Sequence, residues 1–223
     1  MAPTCLTGPV ADILIDGARG SSIFIVLFYP TATVPYMTRT FAINKRTTYY
    51  KDKFTRFDAL EVEYETTREI WPSVFRLPFV SVIPVSDKGR TAIIRQHRFA
   101  VNQEMWEFCR GGVDDGENME QAAIRELAEE LDIHTDRVEK IGCFYPETAV
   151  IEACGDVYVA YVDDAVLDRI NPNINEDQIT ARRVLTLGEL DQMIDRGEIP
   201  CGMTLATYGL LCRHFARKKE QGE

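Results

Sequence analysis

The pattern of apolar and polar positions changes once along the chain, from strand-like runs to helical periodicity. Short runs of β-branched and aromatic residues, broken by Pro, Gly and Asn, occupy the first third: SIFIVLFYP, YMTRTFAI and ALEVEYETT. PFVSVIPV and TAIIRQHRF follow, and the SDKG between them predicts a hairpin whose turn is Asp87-Lys88-Gly89. The pattern therefore predicts a strand-rich segment ahead of the first helix.

Helical periodicity begins in the acidic stretch GGVDDGENMEQAAIRELAEELDI, residues 111–133. Asn118 can cap the start of a helix while the side chain of Gln121 reaches back, so the spacing predicts a helix over 119–131. After it, EKIGCFYP and GDVYVAYVDD predict two strands.

Two more helices are predicted near the end of the chain. TLGELDQMIDRGE carries a second capping box, Thr186 and Glu189, and MTLATYGLLCRHFARKKE is amphipathic with a basic end. Strands, a helix, strands and then helices favour a mixed α/β sandwich over a doubly wound parallel sheet.

Three glutamates share one face of the first predicted helix. At about 100° per residue, Glu126, Glu129 and Glu130 fall within roughly 100° of one another, beside the apolar side that would pack on a sheet. Glu126 and Glu130 repel each other unless a cation lies between them. Carboxylate oxygens converging from a rigid helix suit a hard divalent ion such as Mg²⁺ or Mn²⁺, whereas charge runs in general form solvated surfaces.

Composition and charge narrow the class of protein. The 223 residues are 45% hydrophobic and 27% charged, with a formal net charge of −10, which disfavours a nucleic-acid binder. The longest apolar run, Ile23–Tyr29, is too short to span a membrane, and the N-terminus lacks the pattern of a secretion signal. Six cysteines without paired spacing indicate reduced thiols. We therefore expect a cytoplasmic protein that binds neither membrane nor nucleic acid.

The spacing of the acidic stretch resembles the Nudix box, Gly-x5-Glu-x7-Arg-Glu-U-x-Glu-Glu-x-Gly-U, where U is a bulky aliphatic residue. The matching residues are Gly111, Glu117, Arg125, Glu126, Leu127, Glu129, Glu130 and Ile133. With roughly one chance in twenty at each specified position, a chance match in this chain is on the order of one in a hundred thousand. Asp132 stands where the family has Gly, and Asp tolerates the left-handed conformation expected there better than most residues.

The resemblance extends from about residue 47 to the C-terminus. Gln96-His97-Arg98 and Trp106-Glu107-Phe108 are similar to the approach to the box in Nudix enzymes that cleave ADP-ribose and related sugars, although Cys109-Arg110 replaces Pro-Ala. The resemblance implies a Nudix-type α/β/α sandwich with a mixed sheet over residues 76–223. It also implies a strand-rich N-terminal extension, residues 1–75, suited to forming a homodimer.

The resemblance also implies roles for individual residues. Metal ligands would be Glu126, Glu129, Glu130 and the main-chain carbonyl of Arg110. Arg125 would pair with Glu117 to hold the loop of the box against its helix. Glu176 is the candidate for positioning water, with Asp177 next, and the alternative is that this is a flexible acidic loop.

Four residues are candidates for binding substrate. These are Arg98, Glu107, Trp106 and Glu147, the last because its carboxylate could accept hydrogen bonds from sugar hydroxyls. For Trp106 the alternative is a core or interface position, and for Arg98 it is a surface salt bridge.

The resemblance implies Mg²⁺- or Mn²⁺-dependent hydrolysis of the diphosphate bond in a nucleoside diphosphate sugar, with ADP-ribose giving AMP and ribose 5-phosphate. Pro146 is present in FYPETAVIEACGD, but Glu147-Thr148-Ala149 replaces the Ser-Pro-Gly usual in ADP-ribose enzymes, which weakens the case for ADP-ribose itself. Other diphosphates such as NADH, a GDP-sugar or a nucleotide cap are the alternative substrates. A non-catalytic nucleotide sensor is the alternative from another class.

Overall fold

The computed structural model describes residues 41–64, 66–172 and 178–222, which divide into two compact units. The first unit ends at Arg76 and also takes in Glu147–Glu152. The second unit comprises Leu77–Pro146 and the chain from Ala153 onward. The predicted strand SIFIVLFYP lies outside the described residues. Within the described ranges, no helix is both long enough and apolar enough to cross a membrane.

Strands precede the first helix in the described part of the chain, and both strands and helices follow it. In chain order, the elements are β1 Phe41–Lys51, β2 Thr55–Tyr64, β3 Thr67–Arg76, β4 Phe79–Ser86, β5 Arg90–Arg98, β6 Gln103–Glu107, β7 Cys109–Gly112, α1 Met119–Leu131, β8 Val138–Phe144, β9 Ile151–Glu152, β10 Gly155–Val162, α2 Asp164–Leu167, β11 Ile179–Thr186, α3 Leu187–Asp195 and α4 Gly202–Gln221.

The first unit is built on a four-stranded sheet in the order β1-β2-β3-β9. The first three strands form an antiparallel meander, and β9 pairs in parallel with β3 at Val74 and Phe75. The sequence pattern predicts one strand across ALEVEYETT. The structure instead ends β2 at Tyr64 and begins β3 at Thr67.

Strand β3 was not predicted from the sequence, because Pro72 in its middle removes a backbone donor and normally argues against a strand. Pro72 lies opposite Ala59 of β2. On its other side, β3 pairs with β9 only at Val74 and Phe75, beyond the proline. The missing N–H therefore disrupts little of the ladder.

A buried carboxylate with two arginine partners lies inside the first unit. The side chain of Asp58 has no exposed surface and pairs with both Arg46 and Arg56. Arg46 and Arg56 also reach Glu152 of β9, at 2.7 and 3.4 Å. Although burial pushes the pKa of Asp58 upward, hydrogen bonds from Arg56, Thr48 and Arg46 bring it down to about 2. Polar contacts thus connect residues 147–152 to the sheet.

The second unit contains a mixed sheet in the order β11-β5-β4-β10-β8, with β6 beside β5 and β7 beside β4. Strands β4 and β10 run parallel, and the other pairs run antiparallel. The predicted hairpin of β4 and β5 is present. Gly89 closes its turn with a φ of +70°, a conformation that favours glycine.

Apolar side chains alternate between the two faces of this sheet. Val80 and Val82 of β4 face one cluster, which includes Leu127 and Leu131 of α1. Ile83 of β4 faces the second cluster, whose members from α3 and α4 are Leu190, Met193 and Leu211. Helices therefore cover both faces, and the predicted α/β/α sandwich with a mixed sheet is confirmed.

Both ends of α1 follow from local sequence. Asn118 accepts a hydrogen bond from the N–H of Gln121, whose side chain accepts one from the N–H of Asn118, so the predicted capping box is present. At the other end, Asp132 takes the left-handed conformation with φ 56° and ψ 34°. The N–H of Ile133 then reaches the carbonyl of Leu127 at 3.1 Å.

We expect the substitution Asp132→Gly to stabilise the protein. Glycine adopts the left-handed conformation without the Cβ penalty, a gain of about 0.5–1 kcal/mol that corresponds to about 1–4 °C in Tm for a chain of this size. The substitution removes an exposed side-chain contact with His134, 3.2 Å in length, which contributes little to stability. Thermal unfolding followed by circular dichroism measures the change.

Asp132→Ala is the matched control, because alanine also lacks the carboxylate but tolerates positive φ poorly. The expected order of Tm is Asp132→Gly above the unmodified protein, and Asp132→Ala below it. A glycine variant less stable than the unmodified protein would contradict this account of the helix end.

Candidate active site

Helix α1 presents its three glutamates in unequal environments. Glu126 and Glu130 are buried, with 7% and 8% of their surface exposed, whereas the side chain of Glu129 is 58% exposed. The two buried residues are one helical turn apart and point toward the sheet beside Leu127. The helix thus carries two carboxylates into a region from which water is largely excluded.

Strand β7 passes close to these carboxylates because it contains glycine. A Cβ atom at Gly111 would lie 1.7 Å from Oε1 of Glu126, so no larger residue fits without moving that side chain. One residue earlier, the main-chain N–H of Arg110 donates to Oε2 of Glu130 at 3.0 Å. The glycine of the box and the residue before it therefore define where both buried carboxylates lie.

Arg125 ties the loop of the box to the helix. Its Nε and Nη2 donate to the two oxygens of Glu117 at 2.9 and 3.0 Å, and Nη2 also reaches the carbonyl of Gly112 at 2.8 Å. Its Nη1 donates to Glu126 at 2.7 Å and to Glu129 at 2.8 Å. The Arg125–Glu117 contact expected from the sequence is present. Hydrogen bonding to Arg125 lowers the pKa of Glu117.

The two buried glutamates hold their protons more tightly than ordinary carboxyls. Burial raises the pKa of Glu130 to about 7, with a further contribution from the charge of Glu126. Burial likewise raises the pKa of Glu126, although Arg125 partly opposes that effect. Their negative charge is thus incompletely compensated by the protein, and a cation would stabilise it.

A second charged cluster lies where β5, β6 and β7 meet, and its centre is Glu107, which is 1% exposed. Arg98 binds both carboxylate oxygens of Glu107 through Nε, at 3.1 and 3.2 Å, and reaches Oε2 through Nη2 as well. Arg110 adds a bond from Nη2 at 2.8 Å. Burial pushes the pKa of Glu107 upward, but the two arginines bring it below its usual value. The cluster of one carboxylate and two guanidinium groups carries a net positive charge.

The remaining predicted site residues are distributed more widely. Trp106 is partly buried against the cluster beneath α3 and α4, with the guanidinium of Arg95 5.6 Å from its ring centroid. Glu147 belongs to the first unit, where its carboxylate accepts a hydrogen bond from the N–H of Ala149 at 2.8 Å. Glu176 lies outside the described residues.

Two residues near the carboxylates were missed by sequence reasoning. Cys109, fully buried, lies beside Glu130, and burial raises the pKa of its thiol. Arg182 of β11 is 5% exposed and donates from Nη2 to the carbonyl of Glu129 at 3.4 Å. Strand alternation places Cys109 on the same face as Gly111, so the sequence pattern could have predicted that Cys109 lies near the carboxylates. Nothing in the motif indicated Arg182.

Comparison with known proteins identifies the class. The NUDIX domain family matches residues 76–200, more than half of the chain and the whole of the site around α1. The chain therefore belongs to the Nudix family.

Individual relatives differ in what they act on. The ADP-ribose pyrophosphatase of Bacillus subtilis (strain 168) is 26% identical over 120 residues, which cover 54% of this chain and 64% of that enzyme. The RNA pyrophosphohydrolase of Sphingopyxis alaskensis is 30% identical over 131 residues, covering 52% of this chain and 82% of that enzyme. The chain thus spans less than two thirds of the length of the Bacillus enzyme.

A solved structure described as an ADP compounds hydrolase has a similar fold. It covers 82% of this chain and 96% of its own, with a TM-score of 0.64 and 15% sequence identity. At that identity the likeness shows the fold alone.

Nudix hydrolases generally use divalent metal ions, and the residues of α1 fit such an ion. Carboxylate oxygens are the donors that hard cations prefer, and the two buried carboxylates lack full compensation within the protein. In the part of the chain that is described, no three His, Cys, Asp or Glu side chains already converge as a metal site. Arg125 instead bonds two of the three carboxylates.

We expect Glu130→Gln to separate stability from activity. Replacing a buried, crowded carboxylate by a neutral amide relieves repulsion, so in chelator Tm should rise by about 2–4 °C. Because an amide is a poor ligand for a hard cation, kcat for a nucleoside diphosphate substrate should fall by about 100-fold or more. Calorimetry and steady-state kinetics measure the two effects.

Glu120→Gln is the matched control, since Glu120 lies on the same helix but is exposed. This variant should leave both kcat and Tm close to those of the unmodified protein. Normal turnover by Glu130→Gln would show that the buried carboxylate has no part in the chemistry.

Proposed function

We propose that the protein hydrolyses the diphosphate bond of a nucleoside diphosphate sugar, with ADP-ribose the leading substrate. Water would attack one phosphorus, the bond from that phosphorus to the bridging oxygen would break, and AMP and ribose 5-phosphate would leave. The observation that carries the proposal is the pair of buried carboxylates, Glu126 and Glu130, held against β7 by Gly111 and the N–H of Arg110.

Magnesium is the proposed cofactor, and Mn²⁺ the substitute. Glu126, Glu129, Glu130 and the main-chain carbonyl of Arg110 would hold it. Once bound, the metal would shield the anionic diphosphate and lower the pKa of a coordinated water. The protein's part is to keep the carboxylates in place, and Arg125 contributes by bonding Glu126 as well as Glu117 and Gly112.

The charged cluster around Glu107 supports the choice of an anionic substrate. The carboxylate of Glu107 already accepts hydrogen bonds from Arg98 and Arg110. Its role would therefore be to orient these arginines rather than to contact the substrate. Arg98, with 29% of its side chain exposed, would face the phosphates. Trp106 would contribute an aromatic surface, Glu147 would accept hydrogen bonds from sugar hydroxyls, and Glu176 would position water.

Composition and charge support our proposals for the compartment and for the excluded partners. The five described cysteines form no disulfide, which suits the reducing cytoplasm. The net charge of −10 weighs against nucleic acid as the substrate, although some relatives are RNA pyrophosphohydrolases. We therefore place the reaction in the cytoplasm on a small nucleotide.

We also propose that the protein is a homodimer formed through its strand-rich first unit. That unit exposes many large apolar side chains for a small sheet: Phe41, Ile43, Tyr49, Tyr50, Phe54, Phe57, Ile70 and Trp71. Exposed apolar side chains in such number are typical of a protein that associates rather than of a free surface. Association would bury these residues.

A substrate panel tests the proposed reaction. In Mg²⁺, kcat/KM should be highest for a nucleoside diphosphate sugar among ADP-ribose, ADP-glucose, GDP-mannose, NADH and 5′-triphosphorylated RNA. EDTA should abolish turnover, and Mg²⁺ or Mn²⁺ should restore it. Unchanged activity in EDTA would exclude the metal mechanism.

The same panel separates the alternatives. If NADH or RNA exceeded every sugar by tenfold, the substrate class would be wrong while the hydrolase assignment would hold. Tight nucleotide binding without turnover of any compound would instead identify a sensor.

Light scattering tests the homodimer. At micromolar concentration we expect twice the mass of the 25.4 kDa chain. Replacing Ile43 and Trp71, both exposed and on the same face of the sheet, by serine should weaken association. A monomer at that concentration would rule out the proposed dimer.

A further inference from the structure

Arg110 makes direct contacts with both the carboxylates of α1 and the charged cluster around Glu107. Its main-chain N–H holds Glu130, while its guanidinium binds Glu107 at 2.8 Å. Only 13% of the side chain is exposed, so the guanidinium contacts protein groups rather than solvent. A single residue thus connects the helix that bears the carboxylates with the arginine cluster.

The side chain of Arg110 also reaches the start of α4. Its Nη1 lies 3.7 Å from the sulfur of Cys201, the residue that precedes the helix. The Cys201 side chain makes no hydrogen bond to the helix amides, as a capping residue would, and its sulfur instead accepts this hydrogen bond from Arg110. Cys201 is therefore directed toward the arginine cluster.

Helix α4 is anchored to the same stretch of sheet by a second contact. Arg110 lies opposite Ser81 of β4, and the Ser81 hydroxyl accepts a hydrogen bond from Thr207 of α4 at 3.1 Å. Both hydroxyl groups are buried. Position 110 of β7 is thus restrained by α1 through its backbone, by Glu107 and Cys201 through its side chain, and by the neighbouring strand.

We propose that the side chain of Arg110 is a positioning residue that fixes the backbone at position 110, and through it the carboxylate of Glu130. The proposal rests on the proposed function only for its kinetic consequence, because the placement of Glu130 can be measured by metal binding alone. Supporting contacts to a metal ligand typically change affinity or activity by about 10–100-fold.

The test compares Arg110→Ala and Arg110→Lys with Arg196→Ala. Arg196 provides the matched control, since it forms an exposed ion pair with Glu198 at 2.5 Å. Mn²⁺ affinity is measured by isothermal titration calorimetry, and kcat and KM are measured on ADP-ribose. Circular dichroism and Tm verify that each variant is folded.

We expect Arg110→Ala to weaken Mn²⁺ binding and lower kcat, each by about tenfold, with KM within twofold of the unmodified value. Arg110→Lys keeps the charge near Glu107 and should give intermediate values. Arg196→Ala should leave Mn²⁺ affinity, kcat and KM unchanged.

Two results would overturn the proposal. Mn²⁺ affinity and kcat within twofold of the unmodified protein in Arg110→Ala would show that the backbone holds Glu130 unaided. A rise in KM with unchanged kcat and Mn²⁺ affinity would show that Arg110 binds substrate instead. If Arg110→Ala does not fold, Cys201→Ala takes its place, with the same readouts and a smaller expected loss of about threefold.

Failure of the proposed function would look different. In that case the unmodified protein would hydrolyse no compound of the panel, while the difference in Mn²⁺ affinity between the unmodified protein and Arg110→Ala would still decide the role of Arg110.

Discussion

The closeness of β7 to α1 is the constraint on which the site depends. Without a side chain at Gly111, the strand can lie against the carboxylate of Glu126, and the amide of the preceding residue, Arg110, reaches Glu130. Burial in this position raises the pKa of both carboxyls. The charged form of these carboxyls is therefore stabilised when a cation binds beside them. The remaining contacts of the site, above all those of Arg125, hold the strand, the loop and the helix at this separation.

The two crowded carboxylates lower the stability of the fold, but they provide oxygen ligands for a cation. Two like charges, poorly hydrated and one helical turn apart, would destabilise an ordinary helix. The cost is offset by apolar packing on the same helix, where Leu127 and Leu131 are fully buried in a cluster with Val80 and Val82. The helix can therefore keep its carboxylates crowded because its other face anchors it to the sheet.

The sequence predicted best what is determined locally. The limits of α1, its capping box and the turn at Gly89 depend on a few neighbouring residues and are present in the structure. Strand β3 was missed because Pro72 argues against a strand unless its neighbours are known.

Contacts between residues far apart in sequence could not be predicted either. Nothing near Arg182 in sequence indicates its contact with the backbone of Glu129, and no periodicity indicated the pairing of β9 with β3.

The path of the chain between the two units constrains how such a protein can evolve. The chain leaves the second unit after Pro146, adds β9 to the sheet of the first, and re-enters the second at Ala153. Neither unit is therefore a continuous segment that recombination could transplant whole. A gene fusion that borrowed only the portion after Arg76 would carry six residues of a foreign sheet, including Glu152, without the arginines that pair with it.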